Sequence, residues 1–114
     1  MTGFIAVQTT TASPEEAERI TEALLAENLA ACVQIAPIRS RYVWKGAIER
    51  ADEQLMLIKT RADLFEAVRA RIRALHSYET PEIVATPIVA GDPDYLAWIA
   101  ASTISPQPDS RDSS

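Results

Sequence analysis

VQIAPIRSRYVW (33–44), KG (45–46) and AIERADEQLMLIKT (47–60) are consecutive in the sequence. Two apolar-rich arms flank a Lys-Gly pair suited to a tight turn, so the stretch predicts one long β-hairpin. Arms of about twelve residues lie near the upper end for natural strands and would span roughly 40 Å if straight. A compact domain of this size has a radius of gyration of only about 13–14 Å. The tip, which carries Tyr42 and Trp44, therefore projects or lies against another copy of the chain. Pro37 cannot donate a ladder hydrogen bond and belongs at a bend or an edge, which predicts a bent or bulged first arm with an offset register. Alternation places Ser40, Tyr42 and Trp44 on one face, with Arg39, Arg41 and Val43 on the other. The return arm is polar over 49–54 and then closes with LMLI (55–58), a run expected to be covered on both faces.

Outward from the hairpin, FIAVQTTT (4–11) is β-branched and apolar enough for a buried strand. Ser13-Pro14-Glu15-Glu16 announces a helix. Ser13 suits the cap, Pro14 the first turn, and Glu16 completes a capping box. That helix should run to about Glu27, with Ala17, Ile20, Leu24 and Leu25 towards the sheet and Asn28 as a left-handed terminator. Thr60, supported by Asp63, reads as the cap of a second helix whose apolar stripe is Leu64, Ala67, Val68, Ile72 and Leu75, ending near His76. A strand over 82–89 follows, demoted to an edge or bent by Pro87. Asp92-Pro93 then starts a short third helix carrying Tyr95, Leu96, Trp98 and Ile99. Residues 1–103 form one domain on this reading, and the patternless polar stretch 104–114 a disordered tail.

Composition narrows the function. The chain has 114 residues and a net charge of −5, with no Lys/Arg cluster, which argues against nucleic-acid binding. Its single cysteine rules out an internal disulfide and a multi-cysteine zinc framework. Without an 18-residue apolar run or a signal-peptide pattern, no membrane span is expected and a cytoplasmic location is the default. One histidine and three glycines leave no Ser/His/Asp order and no phosphate loop, so the enzyme reading is the weaker one.

The element order β-α-β-β-α-β plus a C-terminal helix gives an α+β, ferredoxin-like sandwich with a long central hairpin. Both main helices cover one sheet face. The other face would expose a large apolar patch, so self-association as a dimer or trimer is the physical solution. Tyr42, Trp44 and Tyr95 are the expected interface anchors.

Five stretches together, LAACVQI (29–35), SRYVWKGAIE (40–49), LMLIKT (55–60), LHSYETPEIV (75–84) and GDPDYLAWI (91–99), resemble the CutA family of divalent-cation tolerance proteins. The resemblance implies a homotrimer with inter-subunit hairpin pairing, an intracellular setting and an association with copper tolerance. It also implies Cys32 and His76 as ligands for Cu2+ or another divalent cation. The family's third ligand position, a cysteine in some members, falls on Thr9, a poor soft ligand. Topology separates Cys32 from His76 to opposite ends of the sheet, so a shared ion calls for an inter-subunit pairing or a large rearrangement. Arg41, Lys59, Tyr78, Glu79, Glu82 and Trp98 are the expected lining of an inter-subunit cleft suited to a small anion or metabolite. The alternative function is accordingly a small-molecule sensor or scaffold that signals to a protein partner.

Overall fold

The computed structural model describes residues 2–104. Its elements are β1 (Phe4–Thr11), α1 (Pro14–Ala26), β2 (Cys32–Trp44), β3 (Ala47–Arg61), α2 (Phe65–Leu75), β4 (Val84–Pro87) and α3 (Pro93–Ser102). The four strands form one antiparallel sheet in the order β2-β3-β1-β4. This is the ferredoxin-like arrangement with an added C-terminal helix. A radius of gyration of 15.3 Å and a long dimension of 51 Å reflect the hairpin.

The hairpin turns through Lys45 and Gly46, both at positive φ (51° and 82°). That is the type I′ pattern, whose twist matches the flanking strands. Contrary to the expected bulge, β2 pairs with β3 without interruption from Cys32 opposite Lys59 to Trp44 opposite Ala47, Pro37 included. β2 is an edge strand, so the proline nitrogen costs no pairing when it faces outward.

Helix ends follow local chemistry. Ser13 Oγ accepts the Glu16 amide, while Glu16 Oε1 accepts from the Ala12 amide, one residue before the cap. At the other end of α1, Asn28 has φ 58°, the Leu29 amide donates to Leu24 and the Asn28 amide to Leu25. This is a Schellman termination, and it turns the chain back towards the sheet. Asp92 Oδ2 accepts from the Asp94 and Tyr95 amides and starts α3.

Thr60 does not cap a helix. It belongs to β3, its hydroxyl donates to the Leu29 carbonyl at 2.7 Å, and a 3-10 turn over Ala62–Leu64 leads into α2. A buried hydroxyl beside an open carbonyl bonds there in preference to solvent-facing amides. The last strand is four residues long and lies at the sheet edge, shorter than the 82–89 expected.

The core lies between the sheet and α1/α2. It contains Val7, Ile20, Leu24, Met56, Ile58, Val68 and Ile72, all fully buried. Leu25 and Ala67, expected to face the sheet, are exposed instead, because each lies beside the stripe that contacts β1 and β3. Met56 and Ile58 face the helices, whereas Leu55 and Leu57 are only half-buried on the opposite face. The run 55–58 is therefore covered fully on one side, not on both. α3 reaches that open face, where Lys59 Nζ lies 5.8 Å from the Tyr95 ring centre. The Ile104 amide donates to the Asn28 carbonyl. The remainder of the expected tail lies outside the described residues.

Candidate functional site

Strand parity gathers one set of side chains on the open face near the C-terminal end of β1. Thr10 of β1, Ser40 and Tyr42 of β2, and Glu53 of β3 share that face. The segment between α2 and β4 closes over them. A groove of about 330 Å³ is lined by Tyr42, Trp44, Ser77, Tyr78, Glu79 and Thr80. A second recess of about 310 Å³ is lined by Thr10, Ser40, Arg41, Tyr42, Glu53, Tyr78, Thr80 and Glu82. Three aromatic rings and several carboxylates thus surround a space of small-molecule size.

The Tyr78 hydroxyl donates to Glu53 Oε2 at 2.6 Å. Burial, then the Glu53 hydrogen bond and charge, push the Tyr78 phenol well above its ordinary pKa, so it remains a proton donor at any physiological pH. Glu82 Oε2 accepts from Gln8 Nε2 at 2.6 Å. Behind this wall, His76 Nε2 lies 2.7 Å from the Thr10 carbonyl, and His76 Nδ1 accepts the Tyr78 amide at 3.1 Å. Glu16 Oε2 accepts the Ser77 amide at 2.6 Å and stands 3.6 Å from His76 Nδ1. Burial works against ionisation of Glu16. The Ser77 and Ala12 hydrogen bonds outweigh it and hold this carboxyl below its usual range.

The anticipated cleft residues divide between two places. Arg41, Tyr78, Glu79 and Glu82 line the groove and its recess. Lys59 and Trp98 sit towards the other end of the sheet, where Lys59 lies over Tyr95 and the Tyr95 and Trp98 rings are 5.6 Å apart. Tyr42, Trp44 and Tyr95 are 44%, 37% and 40% exposed in the single chain.

Cys32 and His76 do not converge. Cys32 pairs with Lys59, and Lys59 with Ala6, whereas His76 is bonded at Thr10. Four residues of β1 and two strand spacings separate those points, about 13 Å along the sheet and about 10 Å across it. Thr9 is buried against the helices, its hydroxyl without a partner. Among the described residues no three of His, Cys, Asp and Glu come together closely enough to hold a metal ion. The Cys32, His76 and Thr9 positions therefore do not fit a chelate within one chain.

Two features of the site had no clear sequence signal. The Tyr78–Glu53 bond joins residues 25 apart, and the Glu16–Ser77 bond residues 61 apart. Glu16 read as a local capping residue, and nothing local reveals its second partner. Parity with Leu55 and Leu57 was the only hint that Glu53 faces the groove.

The family model for the CutA1 divalent ion tolerance protein matches residues 5–102. The divalent-cation tolerance protein CutA of Archaeoglobus fulgidus is 51% identical over 90 residues, 79% of this chain and 88% of that protein. That of Thermus thermophilus is 44% identical over 95 residues, 82% of this chain and 92% of that protein. The solved structure of the periplasmic divalent cation tolerance protein CutA from Archaeoglobus fulgidus superposes with a TM-score of 0.86 at 46% identity, covering 87% of this chain and 97% of that one. With sequence and architecture in agreement over nearly all the described residues, the chain belongs to the CutA1 divalent ion tolerance family.

Proposed function

We propose that the protein acts in divalent-cation tolerance as a homotrimer, holding a cation such as Cu2+ between copies. The observation that supports this reading is the outer half of the hairpin. Val43 and Ile48 are 73% and 75% exposed there, on a 13-residue edge strand and its partner. Such an edge, left unpaired, invites strand addition by another chain. Cys32 is the soft donor of this chain, half-buried on the open face opposite Lys59. Among the described residues no cluster of His, Cys, Asp and Glu could hold an ion within one chain, so donors from another copy would complete the ligand set. Calorimetric titration of Cu2+ into the protein above and below its assembly concentration tests the idea. Binding that appears only with the oligomer and weakens in Cys32→Ser supports it. Equal binding by the dilute single chain, or indifference to Cys32→Ser, overturns it.

A second reading, a small-molecule sensor or scaffold, rests on the groove between Tyr42, Trp44 and Tyr78. A metabolite that raises the melting temperature of the wild type but not of Tyr78→Ala would favour it over the cation reading.

A further inference from the structure

We propose that His76 is the positioning residue of the groove, fixing the Tyr78 wall, and that its imidazole is closed to metal ions. The side chain of His76 has no exposed area, and that of Glu16 beside it is only 4% exposed. A carbonyl oxygen can only accept, so the contact of Nε2 with Thr10 at 2.7 Å requires the proton on Nε2. The remaining lone pair, on Nδ1, is taken by the Tyr78 amide at 3.1 Å. Both nitrogens are thereby used in the neutral ring. A metal ion binds through an imidazole lone pair, and here it would have to enter a fully buried side chain and displace the part-buried Tyr78 amide from its partner.

The same contacts define what the ring does. It lies 4.8 Å from the Tyr78 ring and holds the Tyr78 backbone, while Glu53 holds the Tyr78 hydroxyl. Glu16 fixes the neighbouring Ser77 amide. A segment outside any helix or strand is thus pinned at successive points, which lowers the ordering cost of any ligand that uses Tyr78 as a wall. This inference goes beyond the proposed function, since a trimer holding a cation between copies is compatible with either outcome for His76.

The chain has a single histidine, so its ring nitrogens are unambiguous in a 15N-labelled sample of the full protein. Long-range 1H–15N spectra should give the Nε2–H tautomer and should not change on addition of excess Zn2+. A zinc-dependent shift of either ring nitrogen overturns the closed imidazole. Positioning is tested by amide hydrogen exchange in two variants. The Asn carboxamide overlays the Nδ1 side of a histidine and that of Gln the Nε2 side. His76→Asn should keep the Tyr78 amide protected. His76→Gln should lose about tenfold protection there while core amides such as those of Val7 and Ile58 are unchanged. Equal protection of Tyr78 in both variants, or a loss spread evenly over the core, overturns the positioning role.

Discussion

The inner and outer halves of the hairpin share one register but live in different surroundings. Met56 and Ile58 at the inner end are fully buried under α1 and α2, whereas every residue from Arg41 to Arg50 is exposed. The ladder is continuous through both halves. Strand geometry alone therefore does not decide burial; what packs on the strand does. The inner half is stabilised within the chain, and the outer half is not covered by it.

Substitutions can break this contrast, and the largest effect belongs to the inner half. Ile58→Ala should cost roughly 2–5 kcal/mol in denaturant-induced unfolding, because a buried methyl-rich side chain leaves a cavity between sheet and helices. Trp44→Ala at the tip should lower the stability of the assembly by about 2 kcal/mol, seen as a shift in its concentration dependence. In the dilute single chain the same change should matter by less than about 0.5 kcal/mol.

Glu16 sharpens the comparison from the helix side. Its buried carboxylate supports two amides, so Glu16→Gln should cost about 1–3 kcal/mol at neutral pH. Because the folded carboxyl is held below its unfolded value, its contribution is complete above about pH 4.3 and is lost as pH falls through the folded pKa. Urea midpoints of wild type and variant should converge on acidification. The smallest effect is expected for Glu66→Ala, which removes an exposed pair with Arg69 on α2 and should change unfolding by no more than about 0.5 kcal/mol.

Local chemistry was legible in the sequence wherever a few adjacent residues decide the outcome. Ser13, Asn28, the Lys45-Gly46 turn and Asp92-Pro93 all act in the roles their types suggest. Alternation along the hairpin likewise placed Tyr42 and Trp44 on one face. Reading failed where tertiary contacts override a local preference. Thr60 has the right chemistry for a cap, but a buried carbonyl 31 residues away claims its hydroxyl. Pro37 lies on an edge strand, as its missing donor suggests, but the bulge and offset register expected with it are absent because that donor is not needed there. The site was legible only in part for the same reason. Four of the six cleft residues meet at the groove, while Lys59 and Trp98 are carried to the α3 end by strand direction.

Sedimentation of the full chain at low micromolar concentration is the most direct test that sister copies cover the outer hairpin and the open sheet face. A particle of three times the 12.5 kDa chain mass is expected, with Trp44 fluorescence, read in a Trp98→Phe variant because the chain has two tryptophans, shifted to the blue of its position in the dissociated chain. A folded single chain of 12.5 kDa, its Trp44 in contact with water, would contradict it.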